Sequence, residues 1–238
     1  MATRGLSQQL VWRRRAIALA LVAAALLAGY YLWLRDSSLV AVEEVEVEGA
    51  TANRDQIAAA LEREAKEMTT LHIDDEKLRE TASAFPTVAS IKADASLLHS
   101  LTITVTERLP VARVESDGEQ LAVSTDGYAL PGVKVDPAKL PPLQAGVEST
   151  RLDEAGQDQA AIVGADPAEL RERVDSVRFD PELGGVVVEI EGAPELRLGD
   201  GGEGAAKWEA VAAVLANPDL GSPAYLDASV PERPVTGG

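Results

Sequence analysis

Apolar and polar positions alternate in several short stretches of the chain and recur at helical spacing in others. Val45-Glu46-Val47-Glu48 alternates strictly and predicts a half-buried strand closed by Gly49. Ile57, Ala60, Leu61, Ala65 and Met68 then fall on one helical face, behind Asn53 as N-cap and Gln56 three residues later in capping-box spacing. A second helix is predicted behind Asp74, with Leu78, Ala82 and Phe85 inward. Pro86 ends it, because a proline has no N–H to give and clashes with the preceding turn. Val88 to Asp94 reads as a strand. Leu101-Thr102-Ile103-Thr104-Val105-Thr106 puts aliphatics on one face and threonines on the other, the clearest strand signal in the chain. Residues 42–110 therefore read β-α-α-β-β.

The rest of the chain is patterned less evenly. Val111 to Ser116 reads as a strand, and two short strands flank Asp126-Gly127, a hairpin signal. Lys139 to Leu143 is extended. Residues 144–165 are rich in Gly, Gln, Ser and Asp and only weakly periodic, so they read as loop with some helix. Asp166 is expected to cap a helix with Pro167 at its first position and Glu169 at N3, running to about Val174 with Leu170 and Val174 inward. Val186 to Ile190 and Glu195 to Gly199 are predicted strands. Gly204 to Ala216 is a predicted helix with Trp208, Val211, Ala212 and Leu215 on one face, stopped by Asn217-Pro218. Ala224 to Val230 is predicted as the last strand. The fold class is α+β with a mainly antiparallel sheet in the second half.

Ahead of these elements lies a different kind of segment. Ala16 to Leu34 holds 19 residues without a charge, behind Arg13, Arg14 and Arg15. As a helix at about 1.5 Å per residue it reaches roughly 28 Å, close to a bilayer's hydrocarbon thickness. The positive-inside rule keeps residues 1–15 in the cytoplasm and sends the rest across, so the three arginines set topology. Trp12, Tyr30, Tyr31 and Trp33 sit at the two ends as an aromatic belt would. The competing reading is a cleaved signal peptide, against which stand the long apolar run and the bulky aromatics after Ala28.

Charge follows the same division. The net charge of −17 combines five arginines and no acid in residues 1–35 with 17 basic and 39 acidic side chains in the remainder, a net −22. An acidic body of this size argues against nucleic acid as the partner. The absence of cysteine excludes disulfides and thiol chemistry, and two histidines, His72 and His99, are too few for a histidine-built zinc site. Neither histidine lies in a nucleophile motif. Asp74-Asp75-Glu76 reads as acids favourable to a helix N-terminus. Gly199 to Gly204 lacks the Gly-Lys-Ser/Thr of a phosphate loop. No catalytic, cofactor-binding or metal-binding residue is assigned, and the chain is read as a non-enzyme without a cofactor.

The single span, the opening Val45 to Gly49, the break Phe85-Pro86-x-Val88 and the strand Leu101-x-Ile103-x-Val105-x-Glu107-Arg108-x-Pro110 resemble, in order and spacing, the POTRA domain of the FtsQ/DivIB bacterial cell-division proteins. The Asp126-Gly127 hairpin, Leu140-Pro141, Leu196-x-Leu198-Gly199, Lys207 and Tyr225-x-Asp227 are similar to the β domain that follows it. The resemblance implies a cytoplasmic tail (1–15), a transmembrane helix (16–34), a POTRA domain (42–110) and a β domain (111–236). It implies a single-pass type II protein of the cell (inner) membrane at the division septum, a scaffold that positions septal wall-synthesis partners. Those partners would be FtsB/FtsL-like proteins at the β domain, with other divisome and peptidoglycan-synthesis proteins at the POTRA domain.

Within the family the FtsB contact forms largely at a strand edge near the C-terminus, where unpaired N–H and C=O groups accept an added strand. Carried over, the candidate edge is Tyr225 to Val230 with Glu232 to Thr236 after it, and the partner-binding residues are Tyr225, Asp227, Ser229, Arg233 and Val235. Pro231 and Pro234 interrupt the second stretch, so pairing has to go around them. The alternative is that Tyr225 is a core aromatic and the prolines only protect an edge. At the level of function, the alternative is a POTRA-containing adaptor for export or envelope assembly. A wall hydrolase would need a nucleophile–base set or metal ligands, which the two isolated histidines do not supply.

Overall fold

The computed structural model describes residues 4–30, 37–96, 99–217 and 221–238. A first helix, α1, runs Arg4–Gly29, and Ile17, Leu19, Leu21, Val22, Leu26 and Leu27 along it are exposed. Among the described residues no helix is long and apolar enough to cross a membrane. The predicted span extends to Leu34, and Tyr31 to Leu34 lie outside the described residues.

The chain divides into two compact units. The first comprises residues 1–50, 54–84 and 90–105, and the second residues 51–53, 85–89 and 106–238. In the first, β1 (Glu44–Glu48), α2 (Arg54–Ala65), α3 (Asp75–Ser83), β2 (Val88–Ala95) and β3 (Ser100–Glu107) give the order β-α-α-β-β, and the three strands form one sheet in the order β1-β3-β2. β1 pairs β3 in parallel, Val45 opposite Leu101 and Val47 opposite Ile103. The alternation in β3 is kept: Leu101, Ile103 and Val105 are buried, as are Ile57, Leu61 and Ala65 of α2 and Leu78 and Ala82 of α3. Asp74 caps α3, accepting from the Lys77 N–H at 3.1 Å, a contact worth about 1 kcal/mol.

Asn53 stands before α2 but does not cap it. Its φ is 55°, and its Nδ2 instead donates to the Pro131 carbonyl at 3.0 Å. The neighbouring N–H groups are taken by the Glu107 carboxylate, which accepts from Thr51 N at 2.7 Å and Ala52 N at 2.9 Å. Burial pushes the Glu107 carboxyl up, but the hydrogen bonds from Thr51 and Ala52 outweigh it and hold the group below its ordinary value.

The second unit is built on a six-stranded sheet, preceded by a three-stranded one of β4 (Pro110–Ser116), β5 (Glu119–Ser124) and β6 (Ala129–Leu130). The Asp126-Gly127 turn joins β5 to β6 as expected. The six strands are β7 (Leu143–Gln144), β10 (Val174–Asp180), β11 (Gly185–Ile190), β12 (Glu195–Gly199), β13 (Tyr225–Asp227) and β14 (Val235–Gly237), in the spatial order β14-β13-β12-β11-β10-β7. A small hairpin, β8 (Val147–Glu148) with β9 (Arg151–Leu152), precedes α4 (Glu154–Gly164). A short α5 (Ala168–Arg171) and the helix α6 (Gly204–Leu215) complete the unit.

One face of the large sheet carries Val177, Val186, Val188, Leu196, Leu198 and Leu226, all fully buried with Ala160, Ile162 and Val163 of α4 and Trp208 and Val211 of α6. The Trp208 indole N–H donates to the Ile162 carbonyl at 2.8 Å, tying α6 to α4. α6 makes β12 and β13 parallel neighbours, the crossover such a pair requires.

One sequence expectation is met in part and another fails. Residues 144–165 hold the helix α4 as expected, and also the end of β7 and the β8–β9 hairpin; the buried face of α4 is small or polar (Gly156, Gln159, Ala160) as well as aliphatic, so its period is faint in the sequence. The helix expected behind Asp166 lasts only four residues, its N-cap position is Pro167, and Val174 begins a strand instead. Asp166 does not cap. Its carboxylate lies 2.6 Å from the Arg171 guanidinium, and burial raises its pKa against the pull of that arginine.

Candidate partner-binding edge

Tyr225 and Asp227, expected on an edge, lie inside the sheet. β13 is only three residues long and is paired on both sides: Tyr225 stands between Glu195 and Gly237, and Asp227 between Arg197 and Val235. The residues expected to continue this strand form a turn. The Ser229 N–H and hydroxyl donate to Asp227 Oδ1 at 3.0 and 2.7 Å, and Arg233 N–H donates to the Val230 carbonyl at 3.0 Å. The chain then returns antiparallel as β14, the last strand of the sheet on this side. Pro231 falls in the turn and Pro234 just before β14, so neither occupies the edge ladder. Val235 on that strand is 56% exposed. Of the five candidates, then, Val235 alone is on the edge strand, Tyr225 and Asp227 back it from the next strand, and Ser229 and Arg233 belong to the connecting turn.

The face of the sheet opposite the helices is polar and ordered. On it a chain of ionic contacts runs from β10 toward β13. Arg178 binds Asp180 at 2.7 Å and Glu195 at 3.1 Å, and Glu195 in turn binds the Arg197 Nε at 2.9 Å. The Arg197 guanidinium lies over the Tyr225 ring, 3.9 Å from its centroid. The hydrogen bond from Arg178 holds the Asp180 carboxyl below its ordinary value, and the bond to Asp180 raises the Arg178 pKa. Val187, between Arg178 and Arg197 in the register, is 1% exposed; the aliphatic stems on either side supply cover on an otherwise polar face. None of Arg178, Glu195 and Arg197 was singled out from the sequence. The available signal was the spacing of Ser176, Arg178 and Asp180 against Val177 and Phe179, and of Glu195 against Arg197, each set on one face of a strand.

The turn between β12 and α6 is equally well occupied. Lys207 is buried, and its ammonium donates to the Asp200 carbonyl at 2.9 Å and to Asp200 Oδ1 at 2.8 Å. That hydrogen bond holds the Asp200 carboxyl below its usual range. The Gly201 N–H donates to Asp158 Oδ1 at 3.0 Å. These groups hold the chain reversal together and leave the lysine engaged within the fold. His99, on a backbone with φ 76°, places its ring Nδ1 2.8 Å from the Ala41 carbonyl oxygen, a structural role.

Residues 40–108 match the POTRA domain, FtsQ-type. The cell division protein FtsQ of Streptomyces venezuelae is 28% identical over 233 residues, covering 94% of this chain and 84% of that one. FtsQ of Streptomyces coelicolor is 26% identical over 245 residues, covering 95% and 89%. Among solved structures, the major extracytoplasmic domain of the cell-division protein DivIB from Geobacillus stearothermophilus matches 49% of this chain and 98% of its own, at 18% identity and a TM-score of 0.35.

Proposed function

We propose that this chain, a member of the FtsQ/DivIB family of cell-division proteins, is a membrane-anchored scaffold of the divisome that captures FtsB/FtsL-like partners by strand addition at β14. The observation that carries this reading is the single-sided pairing of Val235–Gly237. β14 has β13 on one side and no further strand on the other among the described residues, and both nearby prolines lie outside it. A strand laid along it continues the ladder, so main-chain hydrogen bonds supply affinity and the flanking side chains supply specificity. Val235 would meet the partner directly. Tyr225 and Asp227 would shape the surface behind it, and Ser229 and Arg233 its end.

In this reading Ala16–Leu34 anchors the chain, Arg13, Arg14 and Arg15 hold the short N-terminus in the cytoplasm, and the two units lie outside the inner membrane at the septum. The activity is binding, without catalysis or a cofactor. The POTRA unit would add contacts to other divisome or peptidoglycan-synthesis proteins. Co-purification from solubilised membranes tests the reading: an FtsB/FtsL-like pair is expected with the wild-type chain and is lost with Val235→Asp. Recovery of an export or envelope-assembly partner instead would replace it. Depletion is expected to give filaments or chains of cells stalled late in septation, and normal division would end the proposal.

A further inference from the structure

The geometry points to Arg197 as the residue that positions the edge strand, acting through the Tyr225 ring. Val235 to Gly237 is a three-residue strand held by a three-residue neighbour, and ladder bonds of that number leave a terminal strand prone to fray. What sets this edge apart is the aromatic ring beneath it. Gly237 stands opposite Tyr225, and a Cβ there would meet the Tyr225 hydroxyl at 2.5 Å, so the ring lies directly against the backbone of β14. The ring is also covered by the Arg197 guanidinium at 3.9 Å. Arg197 is itself fixed by Glu195 at 2.9 Å, and Glu195 by Arg178 at 3.1 Å, two strands further into the sheet. All three side chains are between a quarter and a third exposed, enough burial for their orientation to be maintained. The ladder therefore carries rigidity from the centre of the sheet to its last strand.

Its consequence for function rests on the strand-addition reading above. A strand held in place before the partner arrives does not have to be ordered when binding occurs, and that saving appears as affinity. Arg197 would then govern capture without touching the partner. Lysine cannot replace it, because a compact ammonium lacks the planar face that stacks on the ring and the fork that Glu195 grips.

Hydrogen exchange on the full chain in detergent micelles tests the assignment. Arg197→Ala, Arg197→Lys and Tyr225→Ala are each expected to lower protection at Val235–Gly237 by about five- to ten-fold, the scale of one partly desolvated cation–π contact. Protection at Val186–Ile190 should stay unchanged. The double variant Arg197→Ala/Tyr225→Ala should lose no more than the larger single change, since one residue acts through the other. Unchanged exchange at the edge in Arg197→Ala, an equal loss at Val186–Ile190, or additive losses in the double variant would each overturn the assignment. Partner capture by the same variants separates the two claims. Loosened edge protection with undiminished capture refutes docking at β14 and leaves the positioning role of Arg197 intact.

Discussion

The two ends of the six-stranded sheet are finished in opposite ways. At the β7 end the last strand is closed off. Gln159, fully buried on α4, accepts from the Gln144 N–H at 3.1 Å and donates to the Gln144 carbonyl at 3.0 Å. Beyond it Arg113 of β4 bridges to Pro142, its N–H donating to the Pro141 carbonyl at 3.0 Å and its guanidinium to the Leu140 carbonyl at 3.2 Å. At the β14 end the last strand meets no other described strand, and its support comes from below, through Tyr225 and Arg197. Edge strands invite unwanted pairing, and proteins usually cover or interrupt them. A sheet that closes one end with a buried amide and, among the described residues, leaves the last strand at the other without a neighbour offers one side to the proposed strand addition.

Four changes would break or sharpen this contrast. The largest effect is expected at the sealed end. Gln159→Leu removes both side-chain bonds to Gln144 at a fully buried site, and should cost about 2–3 kcal/mol in chemical denaturation of the solubilised chain. A neutral result would show that β7 is held by its ladder and the Arg113 bridge alone. Gly237→Ala, at the open end, forces the Tyr225 ring aside and should cost about 1 kcal/mol or less, because a terminal strand can yield. A cost equal to that of Gln159→Leu would mean the two ends are equally rigid. Val235→Asp should leave stability within about 0.5 kcal/mol while capture of the partner pair falls. Stability loss without loss of capture would move docking away from β14.

The smallest effect is electrostatic and concerns the ladder's inner terminus. Asp180 titrates below its unfolded value, so its pairing with Arg178 favours the folded chain above that value, and the benefit fades as pH falls through the lower folded one. Asp180→Asn should therefore flatten the acid limb of the stability–pH curve slightly, and salt should reduce the difference, since the pair with Arg178 is only partly buried. An unchanged acid limb at low salt would indicate that Arg178 depends on Glu195 alone.

Where local pattern and burial coincide, the sequence is readable. β3 alternates without exception, and its apolar set is the buried set. Asp74 caps α3 as its spacing announced, and β11 and β12 fall where their aliphatic runs lie. α4 was expected only as some helix within a loop, without bounds, because its buried face includes Gly156, which approaches Ala145 and Leu152 closely, and Gln159, which bonds Gln144. β10 was hidden behind Asp166-Pro167, a pair that reads as a helix start but here serves a short turn and the contact with Arg171. The candidate edge spanned two strands: Val235 lies on the last one, β14, whereas the place of Tyr225 and Asp227 between β12 and β14 was not legible.

The sequence by itself determined which residues alternate, which faces are apolar, where the charge divides and that a β-α-α-β-β unit precedes a second α+β unit, because these follow from spacings of a few residues. The tertiary structure alone decided which strand ends the sheet. That depends on α6 carrying the chain across to lay β13 beside β12, and on the turn at Pro231 folding β14 back over it. Strand order is a matter of pairings between distant residues, set by the burial of a whole sheet face, and no local pattern encodes it.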